Sequence, residues 1–258
     1  MSTATPGRRG RLRLGIAGWS IPSEHRHAFW PGGSVLERYA SRFNCVEVNS
    51  SFYRPHQRKT YERWAATVPS GFRFSVKIPR TITHGQALRG VAAPLDRFIE
   101  ECSGLGGKLG VVLIQLPGNL EFDARVVSTF FSMLRRRLPE AVHIVCEPRH
   151  PSWFTAGASG ILERQGINRV GADPSPVLTD VSPSNFGSCR YWRLHGSPRI
   201  YYSRYDSETL ARFAAQVRSL ARRMPAWMIF DNTAHGHAIP NALEFSGSIG
   251  GSPTGRER

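Results

Sequence analysis

Short runs of β-branched and other apolar residues alternate along the chain with longer segments in which apolar residues recur at helical spacing. This alternation predicts repeated strand–helix units and a parallel sheet, because parallel neighbours need a crossover connection between them. The apolar runs predict eight strands, at residues 13–17, 45–51, 72–78, 109–116, 143–147, 169–173, 190–195 and 227–231. The segments between them predict helices at residues 35–43, 59–67, 95–103, 125–138, 160–165 and 207–223.

Residues 174–188 interrupt this pattern, because their Pro, Ser and Gly content predicts a loop where the sixth helix is expected. At 258 residues, 40% of them hydrophobic, the chain is long enough for one large core. We therefore expect an α/β protein with a single domain over residues 13–245. Its predicted fold is a TIM-like (β/α) barrel, irregular around the sixth connection. The flanking residues 1–12 and 246–258 predict a disordered basic N-terminus and a flexible C-terminal tail.

The composition of the chain indicates which classes of binding partner to expect. The formal net charge of +15 favours phosphate-bearing partners, nucleic acid included, although the same charge could serve only to keep the surface soluble. The four cysteines lie far apart with no C-x-x-C pair, which predicts reduced, buried thiols and argues against a zinc finger or a redox motif. No segment approaches the roughly 18 apolar residues of a membrane span, and none has the pattern of a signal peptide. We expect a cytoplasmic protein with no membrane partner.

Several predicted strands carry polar residues on one face. In the second strand Glu47 and Asn49 alternate with Val46 and Val48, and a parallel strand buried on both faces should be apolar throughout. The same phase places Lys77, Gln115, Glu147, Arg149, Arg193 and His195 inward, with Asp173 and Asp231 at strand ends. Active sites of such barrels lie at the C-terminal ends of the strands, so this set predicts a polar mouth. The alternative is a network of internal ion pairs that only fills the barrel.

Together with their neighbours these residues form a series of linked motifs. They are Gly18-Trp19-Ser20, the run from Glu47 to Tyr53, Val76-Lys77-Ile78-Pro79-Arg80 with Thr83-His84, Gln115-Leu116-Pro117, the run from Glu147 to Trp153, Arg193-Leu194-His195-Gly196, and Asp231-Asn232-Thr233 with Gly236, Ala238 and Asn241-Ala242. The series resembles the YecE-like family, a domain-of-unknown-function family, in order from about Gly15 to Leu243. This resemblance implies a TIM-like barrel and no established activity, so function is argued from the site. Pro148, where the family more usually has an aromatic residue, and residues 174–188 depart from the family pattern.

Four of the inward or terminal polar residues could bind a divalent metal ion. Glu147, Asp173, His195 and Asp231 come from four successive predicted strands and offer oxygen and imidazole ligands. The arrangement is similar to the metal-bearing barrels of the xylose isomerase and endonuclease IV type. Alternatively, the cationic side chains of the mouth take the place of the metal ion.

Those cations are Lys77, Arg149 and Arg193, which could clamp a phosphate or a carboxylate. The alternative is that they pair only with Glu47, Glu147 and Asp173. The aromatic residues that follow strand ends could stack on a sugar or a base, or could simply pack in the core. The residues expected to bind a ligand are therefore Trp19, Glu47, Asn49, Tyr53, Lys77, Gln115, Arg149, Trp153, Arg193 and Asn232.

The leading hypothesis is an enzyme that acts on a phosphorylated or sugar-like small molecule, as a metal-assisted hydrolase, an isomerase or a lyase. In it Glu147 or Asp173 is the general base and His195 is the acid or a metal ligand. Two alternatives stay open. One is a nucleic-acid-binding protein or phosphodiesterase resembling the endonuclease IV-type barrels, and the other is a non-catalytic sensor of a small anion. No P-loop, G-x-S-x-G or H-E-x-x-H motif occurs, which argues against nucleoside triphosphatases, serine hydrolases and zincin proteases.

Overall fold

The computed structural model describes residues 12–175, 177, 181–220 and 224–250. Within them the strands are β1 (Leu12–Ile16), β2 (Cys45–Val48), β3 (Arg73–Lys77), β4 (Leu109–Gln115), β5 (His143–Glu147), β6 (Asn168–Arg169), β7 (Gly171–Asp173), β8 (Arg190–Leu194) and β9 (Ala226–Phe230). The helices are α1 (Val35–Ala40), α2 (Ser50–Tyr53), α3 (Arg58–Thr67), α4 (Ala92–Cys102), α5 (Ala124–Arg135), α6 (Ala156–Arg164), α7 (Ser207–Leu220) and α8 (Ala238–Ser248).

The strands close into a barrel. All pairings are parallel, in the orders β1-β9-β8-β7 and β2-β3-β4-β5-β6. A bridge between Ala17 and Glu47 joins the two sheets on one side. On the other side β6 and β7 are halves of one predicted strand, interrupted at Val170, whose N–H donates to the Cys146 carbonyl at 2.8 Å. The TIM-like (β/α) barrel predicted from the sequence is thereby confirmed.

The barrel interior has an apolar floor and a polar upper half. Lumen-facing residues from the N-terminal and middle parts of the strands form a closed cluster that includes Val111, Leu113, Val145, Tyr191 and Trp227. The opposite faces of the strands pack against the surrounding helices in a second, larger cluster. Because the floor is filled by side chains, polar lumen residues can meet a ligand only at the C-terminal mouth.

Where the elements differ from the predicted ones, local causes are visible. The second strand ends at Val48 rather than at residue 51, because Asn49 adopts a helical backbone conformation and α2 begins directly after it. No α-helix occurs in the described part of residues 174–188, so the sixth connection is irregular, as predicted. Each of the four cysteines is buried and free of a disulfide, also as predicted.

Helix α8 is not among the predicted helices, and its Pro240 is a local signal against a helix. Proline is tolerated there because it lies in the first turn, where its missing N–H costs no hydrogen bond. The helix buries Ile239, Ala242 and Phe245 and continues to Ser248, so the predicted tail at 246–258 begins three residues too early. The rest of that tail, 251–258, and residues 1–11 lie outside the described residues. No described helix has the length and apolar character needed to cross a membrane.

Candidate functional site

One arginine organises the polar half of the lumen. Arg193 projects from β8 and is fully buried. Its Nε and Nη2 donate to the two oxygens of Glu47 at 3.0 and 2.7 Å. Its Nη1 donates to Glu147 at 2.6 Å and Gln115 at 3.1 Å, and its Nη2 also donates to Asp231 at 2.9 Å. We call these five residues the Arg193 cluster.

All five N–H groups of the Arg193 guanidinium are therefore used inside the protein. The side chain could hold an external phosphate only by giving up bonds to buried carboxylates. This corrects the prediction that Arg193 belongs to an anion clamp. It agrees with the alternative that this arginine pairs with acidic side chains of the barrel.

His195 and Arg149 continue the network. The His195 Nδ1 lies 2.9 Å from Asp231 Oδ2, while its Nε2 lies 3.1 Å from Glu147 Oε1 and 2.9 Å from Arg149 Nη2. The tautomer that carries its hydrogen on Nδ1 donates to Asp231 and accepts from Arg149. Arg149 also forms an ion pair with Glu147. His195 is fully buried under the ring of Tyr201, so the structure gives it no open edge toward a ligand.

Charges in this network balance. Three carboxylates, Glu47, Glu147 and Asp231, lie among three cationic side chains, Lys77, Arg149 and Arg193. Burial alone would raise the pKa of Glu147, but the charges of Arg149 and Arg193 outweigh burial and hold that pKa well below its usual range. Burial opposes ionisation of Asp231 in the same way, and its pKa is nevertheless lowered, chiefly by Arg193. Both carboxylates are ionised at neutral pH.

The predicted metal site is not assembled. Ala172 faces the lumen, so the next residue, Asp173, points outward, where its Oδ2 accepts a hydrogen bond from the Tyr205 hydroxyl at 2.6 Å. Arginine nitrogens lie against Glu147 and Asp231, where a metal ion would have to sit. Among the described residues no group of three or more His, Cys, Asp or Glu side chains is arranged to hold a metal ion. The expectations for Asp173 as ligand and as general base are corrected on this geometry.

A cavity of about 620 Å³ lies beside the Arg193 cluster at the C-terminal ends of β1, β2, β3 and β9. We call it the mouth cavity. Its walls are largely aromatic, and its charged or amide groups come from strand ends. The aromatic side chains are Trp19, Tyr53, Trp64, Tyr201 and Tyr202. The charged, amide and imidazole side chains include Asn49, Arg54, His56, Lys77 and Asp231.

Lys77 differs from the two arginines of the lumen. Its Nζ donates to Gln115 Oε1 at 2.7 Å and lies 4.0 Å from the centre of the Phe52 ring. No carboxylate of the described residues pairs with it directly. Burial and the positive charge of Arg193 lower its pKa to about 8, against the opposing pull of the nearby carboxylates.

Three polar groups line the cavity wall. Two of them have no hydrogen-bond partner among the described residues, and the third bonds only to a residue near it in sequence. The Arg54 side chain is exposed and has no hydrogen bond or ion pair within the described part of the chain. The Asn49 Oδ1 is buried without a hydrogen-bond partner there. His56 Nε2 lies 2.7 Å from the Ser50 hydroxyl, and burial followed by the charge of Arg54 lowers the histidine's pKa.

Sequence reasoning missed several cavity residues. Arg54 and His56 directly follow the motif that ends at Tyr53, so extending that motif by three residues would have found them. Trp64 lies on α3 and packs edge-on against Trp19 at 5.0 Å. No feature of the strand pattern marks a helical residue as part of the mouth. Tyr201 and Tyr202 lie in the loop after β8, outside every motif considered.

Other predicted residues lie away from the cavity. Trp153 is fully buried, donates its Nε1 hydrogen to the Leu120 carbonyl at 2.8 Å and packs against Phe122. It therefore cannot stack on a ligand, which corrects that prediction. Asn232 is also fully buried and donates to the Ser203 carbonyl and to Asn241. The predicted residues that line the mouth cavity are Trp19, Asn49, Tyr53, Lys77 and Asp231.

A family model described as "Protein of unknown function DUF72" matches residues 13–256. The UPF0759 protein YecE of Escherichia coli (strain K12) is 33% identical over 171 residues, which are 64% of this chain and 60% of that protein. The match thus spans less than two thirds of the relative's length.

Solved structures share the fold. A DUF72 family protein from Enterococcus faecalis V583 superposes with a TM-score of 0.77 at 19% identity, covering 96% of this chain and 100% of that one. A sugar phosphate isomerase/epimerase from Parabacteroides distasonis ATCC 8503 superposes with a TM-score of 0.53 at 11% identity, covering 98% of each chain. At these identities the likeness is one of fold.

Proposed function

This chain belongs to the DUF72 family, and we propose that it is an enzyme acting on a small sugar-like or phosphorylated molecule bound in the mouth cavity. The observation that carries the proposal is the cavity itself. Aromatic walls surround a lysine of lowered pKa and an ionised aspartate at strand ends. Titratable groups with shifted pKa values in such a pocket favour a catalytic role over one that only fills the barrel.

The cavity chemistry suits a polyhydroxylated ligand. Faces of Trp19 and Trp64 can pack on the C–H face of a sugar ring, and Asp231 and Asn49 can accept hydrogen bonds from hydroxyl groups. The buried Asn49 Oδ1 has no protein partner among the described residues, and a ligand hydroxyl would supply the missing donor.

A phosphate would bind at the rim rather than in the lumen. The guanidinium of Arg193 is saturated, whereas Arg54 is exposed, borders the cavity and has no partner in the described structure. Arginine offers two parallel N–H groups to a phosphate. The ligand would thus lie with its phosphate toward Arg54 and its uncharged end toward Lys77 and Asp231.

The barrel of the P. distasonis sugar phosphate isomerase/epimerase supports this choice at the level of fold alone. Many unrelated activities share this fold, so the ligand class rests on the cavity and not on that likeness.

The proposal is tested by thermal unfolding with ribose 5-phosphate, fructose 6-phosphate, ribose and inorganic phosphate. We expect at least one sugar phosphate to raise the melting temperature of the wild type, and Trp19→Ala and Arg54→Ala to weaken that protection at least tenfold in apparent affinity. Trp30→Ala is the control, because Trp30 is 68% exposed and does not border the cavity. Protection that is unchanged in both cavity variants would reject this site.

Turnover is followed for any bound compound by proton NMR. Conversion of the compound by the wild type but not by Lys77→Met or Asp231→Asn supports an enzyme. Binding without conversion favours the alternative, a sensor of a small anion.

A further inference from the structure

We propose that Lys77 is a covalent site: its Nζ attacks the carbonyl carbon of an aldehyde or ketone, such as an open-chain sugar, and forms an imine within the mouth cavity. This inference rests on the proposed function, because it needs a small molecule in the same cavity. It goes further by naming the reacting atom, the bond that forms and the chemical class of the substrate.

The position of Lys77 suits a nucleophile. The residue ends β3 on the lumen side, at the depth where barrel enzymes place reacting groups, and it borders the mouth cavity. Arg149 and Arg193 are held by direct ion pairs, whereas the Lys77 amine has one hydrogen bond within the described residues, to Gln115. An ammonium carries three N–H groups, so this amine keeps donors and, once deprotonated, a lone pair for a ligand.

The choice of a lysine here is itself informative. Only Lys59, Lys77 and Lys108 are lysines among the 34 Lys and Arg residues of the chain. Both other cations of the lumen are arginines, which stay protonated and cannot attack a carbonyl carbon. A position that needed only positive charge could have used the arginine that this chain uses almost everywhere else. An amine at position 77 provides the one property that arginine lacks.

The surroundings of Lys77 favour the free amine. Burial and Arg193 on β8 lower its pKa to about 8, while Glu47 on β2, Glu147 on β5 and Asp231 directly after β9 pull the pKa upward. His84, in the helical turn Thr81–Gly85, is the other titratable group that interacts with it. An ordinary lysine titrates near 10.4, so at pH 7 this residue holds on the order of a hundredfold more free amine.

The step balances in atoms and charge. The ammonium of Lys77 first releases a proton, and the amine lone pair forms the C–N bond while the carbonyl oxygen becomes a hydroxyl group. The C–O bond then breaks with loss of water, so ammonium and carbonyl compound give a protonated imine and one water molecule. Asp231, ionised and bordering the same cavity, is the carboxylate that can take and return the proton.

Reductive trapping tests the inference. The intact protein is incubated with glycolaldehyde or dihydroxyacetone phosphate and sodium cyanoborohydride, and the modified peptides are located by mass spectrometry. We expect Lys77 to be modified at least tenfold faster at pH 7 than Lys59, which is exposed on α3 and serves as an internal reference. The rate at Lys77 should rise with pH and level off above about pH 8.

Matched variants complete the test. Lys77→Arg keeps the charge and should remove the fast adduct, whereas Lys59→Arg should leave it unchanged. If Lys77→Arg fails to fold, the modification rates of Lys77 and Lys59 in the wild-type protein still test the inference. Modification of Lys77 no faster than that of Lys59 overturns the inference.

Protection in thermal unfolding, measured without reductant, separates this inference from the proposed function. If dihydroxyacetone phosphate protects the protein but Lys77 is not preferentially modified, the covalent step is rejected and the proposed binding site stands. If no sugar phosphate protects and Lys77 is not preferentially modified, both proposals fall.

Discussion

Two cationic side chains of the lumen, Arg193 and Lys77, have opposite roles. Arg193 has every N–H group bonded to a buried acceptor, and Lys77 keeps an amine that faces a cavity. Buried ion pairs add little net stability over apolar packing, but removal of one partner leaves charges buried without compensation. The two residues should therefore respond differently to substitution.

Arg193→Met should lower the free energy of unfolding by about 3–5 kcal/mol, because it leaves Glu47, Glu147 and Asp231 without their common partner. Arg97→Ala is the control and should cost less than about 1 kcal/mol, since its ion pair with Glu101 is largely exposed on the arginine side. Urea denaturation measures both. Similar losses in the two variants would argue against a structural role for the Arg193 cluster.

Lys77 should instead make stability depend on alkaline pH. Its pKa of about 8 in the folded protein lies below the ordinary value near 10.4, so between these values the unfolded chain binds more protons. Stability of the wild type relative to Lys77→Met should therefore rise from about pH 8 to pH 10, by about 2 kcal/mol. Urea denaturation of both proteins from pH 7 to 10 measures the difference, and a constant difference would contradict the lowered pKa.

Alternation along strands predicted which side chains enter the lumen, but not what they would do there. Glu47 and Arg193 are 146 residues apart, and whether a guanidinium is saturated depends on acceptors from four other strands. No local pattern holds that information. The outward position of Asp173 follows from the alternation itself, because Val170 and Ala172 both face the lumen and place Gly171 and Asp173 on the opposite face.

Strands were easier to predict from the sequence than helices. Strand β5 was predicted with the observed limits, since a buried parallel strand is a short apolar run with clear ends. Helix α8 was missed, and its Pro240 is a strong local signal against a helix, whereas its apolar residues are a weaker signal for one. Packing of its apolar residues against the barrel stabilises this segment as a helix.

Packing of α8 predicts a large cost for Phe245→Ala. Phe245 is fully buried and lies edge-on to Phe230 of β9, so its loss should destabilise the protein by about 3–5 kcal/mol. Trp30→Ala, at an aromatic residue that is 68% exposed, should cost less than about 1 kcal/mol. Thermal and chemical denaturation provide the comparison. A small effect of Phe245→Ala would mean that the barrel is stable without this helix.

The net positive charge of the protein lies outside the lumen, because the ionised groups of the lumen balance one another. Residues 1–11 and 251–258 hold five arginines and one glutamate, so most of the net charge of +15 lies between these segments. This distribution bears on nucleic acid, because an external basic surface attracts polyanions whatever the mouth cavity does.

We expect weak binding to single-stranded oligonucleotides, with a log–log salt slope of about −0.7 per phosphate contacted. Deletion of residues 2–11 and 252–258 should make the slope shallower without abolishing binding. In the protein without these two segments, Tyr53→Ala should weaken oligonucleotide binding further, because the ring of Tyr53 is 78% exposed and can stack on a base. Fluorescence anisotropy across a salt series provides the measurement, and absence of binding at low salt would leave the small-molecule cavity as the working hypothesis.

The Arg193 cluster also constrains how this sequence can change over time. Since one guanidinium serves Glu47, Glu147 and Asp231 together, a change at any single position strands a buried charge, while joint loss of Arg193 and Glu47 leaves Glu147 paired with Arg149 and keeps the charges of the network balanced. Substitutions at these four positions should therefore covary. In a library randomised at all four and selected for folding, survivors should fall into two groups, one with the charged set intact and one in which Arg193 and Glu47 are both uncharged, and single losses of charge should be rare.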